Sequence, residues 1–164
     1  MKCVEATDSD RDFLRMLLDY NLVPGAGNAL DYFDTLELCF SETTAKLRYV
    51  KSEWGTIMTI RAGDMHVIPR IPLALTLQRI VPHPKLRVVV ADEIADDIPE
   101  GGTVFSRHII EIDSELRAGD EALLVNEHDR LIGVVTLRLS PQEILFFTQG
   151  AAGILRERIK KVTK

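Results

Sequence analysis

The sequence predicts an α+β leading domain over residues 1–82, then a second, mostly-β domain over residues 84–164. Three observations carry this. Helical spacing of apolar residues is confined to a few short stretches. Between them lie runs of four to nine residues with strand composition, separated by polar or glycine-containing turns. A stiff connector, Val81-Pro82-His83-Pro84-Lys85, then divides the chain into two halves of similar length.

The elements follow in order. Thr7 and Asp8 offer capping oxygens, and Phe13, Met16, Leu17 and Tyr20 recur at helical spacing, which predicts a helix over 9–20. Val23-Pro24-Gly25-Ala26-Gly27 breaks it, and a short helix is expected over 28–33. Residues 36–40, 46–51, 56–61 and 65–68 read as an antiparallel meander. Pro72 suits the first turn of a helix over 71–80.

After the connector, 86–91 reads as a β-branched strand and 92–102 as an acidic loop ending in Gly101-Gly102. One alternating strand is expected over 104–112, then a turn around Arg117-Ala118-Gly119-Asp120. Strands follow at 122–126 and 131–139. Ser140, with Pro141 next and Glu143 three residues on, forms a capping box for a helix that stops at Gly150. A last strand is expected over 154–162.

At 164 residues the chain is too short for a TIM barrel, which needs about 250. Its net charge of −5 argues against a generic polyanion binder without excluding a local basic surface. Cys3 and Cys39 have no zinc-ligand spacing and are read as two reduced, packed thiols. No signal peptide or membrane span is legible, so a cytoplasmic location is expected by elimination, and no metal or other cofactor is expected. No nucleophile–base pair or phosphate loop is evident, so the chain is read as not an enzyme in itself.

The second half then resembles a known family. Val104-Phe105-Ser106-Arg107-His108-Ile109-Ile110 is followed by Leu116-Arg117-Ala118-Gly119-Asp120-Glu121. Next come Leu139-Ser140-Pro141-Gln142-Glu143-Ile144 and Gly150-Ala151-Ala152. This order is similar to the PUA domain of archaeal tRNA-guanine transglycosylases, whose archaeosine chemistry exchanges a guanine of tRNA. In the first half, Leu18-Asp19-Tyr20-Asn21 with Gly25-Ala26-Gly27, then Thr59-Ile60-Arg61-Ala62-Gly63-Asp64, resemble the segment after that family's catalytic barrel. The likeness is to the non-catalytic C-terminal part, and residues matching the barrel's catalytic aspartates and zinc site are absent.

The resemblance implies a mostly-β PUA pseudobarrel for the second domain. It implies RNA as partner, at the acceptor stem and 3′ end of tRNA, with a separate transglycosylase catalytic chain as a further partner. The expected function is tRNA recognition as the accessory subunit of a split enzyme, in tRNA modification. The alternative is a stand-alone PUA adaptor in ribosome assembly or translation.

Residues 85–164 hold eleven Lys or Arg against fourteen Asp or Glu, yet residues 151–164 hold five cations and one acid. Cationic side chains supply most RNA affinity, and glycine permits close backbone approach. The candidate RNA-binding residues are therefore Gly102, Arg107, His108, Arg138, Gly150, Arg156, Arg158, Lys160 and Lys161. The aromatics Phe13, Tyr20, Tyr32, Phe33, Phe146 and Phe147 fall at helical spacing and are read as core rather than a base-stacking platform. Trp54, in a polar turn, is expected to be exposed.

Overall fold

Apolar periodicity sorts the chain into two β-sheets, each with its own core, in a computed structural model that describes residues 1–160. The sheets belong to two compact units, Met1–Ile80 and Val81–Lys164. The fold class is the one the sequence predicts: an α+β unit, then a mostly-β unit.

Unit 1 begins with a strand that the sequence reading missed, β1 (Lys2–Glu5). All four of its residues are exposed, so no alternation of apolar side chains announces it. Helix α1 (Asp8–Asn21) follows. Thr7 Oγ1 accepts from the Asp10 N–H at 3.1 Å, and Asp10 Oδ2 accepts from the Thr7 N–H at 2.9 Å, a full capping box. Leu14 and Leu18, four residues apart, form its buried stripe.

The expected short helix is a 3-10 turn, Ala26–Tyr32, held to α1 by side-chain bonds. Asp19 Oδ1 accepts from the Gly27 N–H at 2.7 Å, and Arg15 pairs with Asp31. Strands β2 (Leu36–Phe40), β3 (Leu47–Ser52), β4 (Gly55–Arg61) and β5 (His66–Pro69) complete an antiparallel sheet in the order β1-β2-β3-β4-β5. Helix α2 (Ile71–Ile80) buries Leu73, Ala74 and Leu77.

The cysteine expectation is corrected. The β1–β2 register sets Cys3 opposite Cys39, and the two are joined in a disulfide. Thirty-six residues separate them, and only strand pairing brings them together.

Three exposed carboxyls of unit 1 are held below the ordinary carboxylate range. Arg15 bonds Asp31, the Thr35 and Asp34 amides bond Glu53, and the Arg61 guanidinium bonds Asp64. Their contribution to stability is complete above the unfolded-state values, near 4, and fades as pH falls through the depressed folded values. Unit 1 is therefore expected to lose melting temperature between about pH 4 and 2, and Glu53→Gln to flatten that dependence. Calorimetry across this range measures both.

Unit 2 opens with β6 (Arg87–Val90), buried on both faces, and a short helix, α3 (Asp92–Ala95), inside the expected acidic loop. The expected strand over 104–112 is broken in three. It becomes β7 (Thr103–Phe105), a 3-10 turn Ser106–His108 and β8 (Ile109–Ile112). Strands β9 (Glu121–Val125) and β10 (Leu131–Leu137), helix α4 (Pro141–Phe146) and strand β11 (Ala151–Arg158) follow. The last strand begins three residues earlier than expected.

The sheet order is β7-β11-β10-β9-β6-β8, with β6 and β9 parallel and the other pairs antiparallel. This order explains the broken strand. β7 and β8 lie at opposite edges of the sheet, yet three residues join them. Only a sheet curled until its edges approach allows so short a link, which makes a pseudobarrel. A single straight strand cannot serve both edges.

Strand β6 opens on a fully buried cation. Arg87 is 1% exposed, and its guanidinium donates to Val81 O at 2.6 Å, Lys85 O at 3.0 Å and Asp129 Oδ1 at 3.2 Å.

Candidate nucleic-acid interface

Side chains alternate across a strand, so one face of β7, β11 and β10 can be read from register. Thr103 lies opposite Ile154, and Ile154 opposite Thr136. Stepping by two adds Phe105, Arg156 and Arg138 to the same face. Burial agrees: Val104, Leu155, Val135 and Leu137 are buried, while Thr103, Phe105, Arg156 and Arg138 are exposed. The outer face of this edge of the sheet therefore presents two arginines. Arg156 Nε donates to Thr136 Oγ1 at 2.8 Å, and Thr136 Oγ1 donates to Glu121 Oε1 at 2.7 Å, which orients the guanidinium along the face.

A second group gathers where the strands end. The Ser106 N–H donates to Gly150 O at 3.0 Å, and the Arg138 N–H to Ala152 O at 2.8 Å. These bonds bring the 3-10 turn, the end of β10 and the turn before β11 together. Arg107 stacks over Phe105, its guanidinium carbon 4.7 Å from the ring centre, and His108 meets the same ring edge-on at 6.1 Å. Gly150 has φ +137°, a conformation that favours glycine, and an added Cβ would meet no atom within 4 Å. Its backbone is open to an approaching ligand.

The other candidates sit elsewhere. Gly102 packs under Pro99, where a Cβ would fall 2.7 Å from Pro99 Cγ, so the turn itself requires glycine. Arg158 is turned inward. Its side chain is 12% exposed, and its Nη1 donates to Ala95 O at 3.1 Å and Ile98 O at 2.9 Å. It fastens the loop after α3 to β11. Arg158 borders a hollow of about 320 Å³ that Asp96, Asp97, Pro99, Glu100 and Lys160 also line. Its acids outnumber its cations, so it is a poor seat for phosphate. Lys160 is exposed there, and Lys161 lies outside the described residues.

The eight candidates among the described residues thus fall into two groups. Arg107, His108, Arg138, Gly150 and Arg156 lie along one face and its end, while Arg158 and Lys160 lie at the far end of β11 and Gly102 sits in the turn that bonds Leu155. What sequence reasoning missed is aromatic. Phe146 and Phe147, expected in the core, are exposed, as are Phe13, Tyr20 and Tyr32; of the six only Phe33 is buried. A helix of six residues has room for one buried stripe, here Pro141 and Ile144, and α4 ends before it can cover its phenylalanines. Trp54 is exposed, as its polar turn suggested.

Unit 1 carries a surface of opposite sign. Phe13, Met16 and Tyr20 form an exposed stripe on α1, and Asp8, Asp12 and Asp19 run along one edge of it. An acidic border disfavours phosphate on that edge of α1.

Comparison with known proteins divides the chain at the same place. Residues 12–84 match the patch-forming domain C2 of tRNA-guanine transglycosylase, and residues 86–158 match the PUA domain. The tRNA-guanine(15) transglycosylase of Methanothermobacter thermautotrophicus is 33% identical over 149 residues, which is 91% of this chain and 23% of that protein. That of Methanosphaera stadtmanae is 32% identical over 160 residues, covering 96% of this chain and 24% of the relative. The chain thus spans about a quarter of the length of the curated relatives it matches, and the match is to their C-terminal part. Among solved structures, a hypothetical protein of Pyrococcus horikoshii superposes with a TM-score of 0.69 at 15% identity, covering 93% of this chain and 92% of that one. A conserved PUA domain protein from Thermoplasma acidophilum gives 0.63 at 16% identity, covering 94% and 91%. These two likenesses are of fold.

Proposed function

This chain is a PUA-domain protein that resembles the C-terminal part of archaeal tRNA-guanine transglycosylases, and we propose that it serves tRNA modification as a tRNA-recognition component. In this reading it holds the acceptor stem and 3′ end while a separate transglycosylase chain performs the base exchange. It contributes grip and orientation, a proximity effect, and has no catalytic residues of its own. The work belongs in the cytoplasm, where tRNA is modified.

The observation that carries the proposal is the alignment of Arg138 and Arg156 on one outer face, with Arg107, His108 and the open Gly150 backbone at its end. Guanidinium groups bind phosphate in bidentate fashion, and an A-form stem is read chiefly through its backbone and 2′-hydroxyls. In the proposed complex Gly102 and Arg158 hold the loop before β7 in shape.

Two measurements test the proposal. Binding to tRNA should weaken steeply with salt, as counterion release requires. Adding the chain to a transglycosylase that lacks a PUA domain should raise its guanine exchange on tRNA. An inactive mixture, with tRNA binding intact, removes the accessory-subunit role and leaves the RNA-binding one. Absence of tRNA binding removes both.

A further inference from the structure

Strand β1 is held to unit 1 by little besides its backbone. It lies at one edge of the sheet against β2, and all four of its residues are exposed. Burial of side chains therefore contributes little to keeping it in place. The ladder is short, running from Lys2 opposite Phe40 to Glu5 opposite Glu37. Ahead of it the N-terminal ammonium meets Glu42 Oε1 at 3.4 Å, an exposed ion pair of small worth. Behind it the Ala6 N–H donates to Leu36 O at 2.8 Å, and Thr7 caps α1. The strand is thus a flap rooted at Ala6 and Thr7, and the Cys3–Cys39 disulfide is a covalent clasp within it.

The two cysteines differ in access. Cys3 is exposed, whereas Cys39 is 0% exposed. Register sets Cys3 on one side of Cys39 and Tyr49 on the other, so β1 supplies one wall of its enclosure. A thiol in solution meets the bond from the Cys3 side. Exposed disulfides are the ones that exchange, because the attacking thiolate needs access to a sulfur.

We propose that the Cys3–Cys39 pair is a thiol–disulfide exchange site for dithiols, entered at Cys3, and that its reduction releases β1 from the sheet. One thiolate of the dithiol attacks Cys3 Sγ, forms a mixed disulfide and expels Cys39 as a thiolate, which takes a proton from water. The second thiolate then attacks the dithiol's own sulfur in the mixed disulfide and expels Cys3, which is protonated in turn. The dithiol ends as a disulfide, having given up two electrons, and both cysteines end as thiols. A short ladder without buried side chains is then left to oppose the conformational entropy of the flap. Release uncovers Cys39 and the hydrogen-bonding edge of β2. The buried core of unit 1 is drawn from α1, α2, the 3-10 turn and β2–β5, so the rest of the unit stays folded. This site is independent of the RNA-binding reading.

The test uses the full chain, dithiothreitol as the dithiol and iodoacetamide as the probe of free thiols. In the oxidised chain neither cysteine should alkylate. Dithiothreitol without denaturant should open the bond, after which Cys39 should alkylate within about tenfold of the rate of Cys3. Hydrogen exchange in β1 should quicken on the order of 100-fold, the scale of a typical cross-link, while α1, α2 and β4 change less than about threefold. Cys3→Ser, at an exposed position, should open Cys39 to iodoacetamide with no reductant present. A bond that yields only in denaturant overturns the exchange site, as do two thiols that oxidised dithiothreitol fails to join. A Cys39 that stays shielded after reduction, or in Cys3→Ser, overturns the release, because the ladder then holds β1 unaided. Equal loss of protection throughout unit 1 overturns it as well, because the bond is then a staple for the whole unit.

Discussion

Replacing Arg107, Arg138 and Arg156 together by alanine should lower affinity for tRNA on the order of 100-fold at moderate salt. Each side chain is exposed and none fills the core, so the fold should be unaffected, with stability shifts of about 0.5 kcal/mol or less per site. The salt dependence makes the test specific. A phosphate contact contributes about 0.9 to the slope of log K against log salt on a duplex, so losing three should flatten it by roughly 2–3. Alanine at Lys51, an exposed cation on β3 in the other unit, should change neither quantity. Loss of affinity with an unchanged slope would mean that the arginines act through shape rather than charge, and the assigned face would be wrong. Filter binding or fluorescence anisotropy over a salt series measures both quantities.

Arg87→Ala should destabilise unit 2 by about 3 kcal/mol, because it strips partners from two carbonyls and a carboxylate beside the core. Val81 O and Lys85 O lose their donor, Asp129 loses its guanidinium, and a long side chain leaves a cavity. A unit of this size should melt about 12–24 °C lower for such a loss. Arg87→Lys should fall between, since an ammonium keeps the charge but not the fork that spans several acceptors. A melting temperature within a few degrees of the original for Arg87→Ala would show that water satisfies these groups unaided. The arginines proposed to meet RNA are placed differently. Residues of one chemical type divide into struts, Arg87 and Arg158, and free cations, Arg107 and Arg138, by where the strands place them.

Most elements were legible because their signals are local. Strand β2 at Leu36–Phe40 and helix α2 at Ile71–Ile80 coincide with the ranges read from sequence, and Ser140 and Glu143 announced the α4 cap. Strand β1 was not legible, since an edge strand with both faces wet needs no alternation. The break at Ser106–His108 left a faint sign, three polar residues inside an apolar run. Its cause lies in the distant placement of β7 and β8. The disulfide was misread because cysteine spacing says nothing about strand register.

The candidate site divides in the same way. Residue types were readable, so a basic stretch near the C-terminal end and glycines at its turns could be picked out without coordinates. Which of them face one ligand was not readable. Arg158 and Arg156 are two residues apart in sequence, yet one clamps a loop and the other lies on an open face. Phe146 and Phe147 have the spacing of core residues but sit at the end of a helix too short to bury them.

By itself, then, the sequence determined the two-part order, nearly all the strands and helices, the caps and the family resemblance, all of which rest on neighbours a few residues apart. Tertiary structure alone decided the curl of the second sheet, the cysteine pairing, and which arginines and phenylalanines are left exposed. Those outcomes depend on register and closure between segments dozens of residues apart, and such distances leave no periodic trace in the chain.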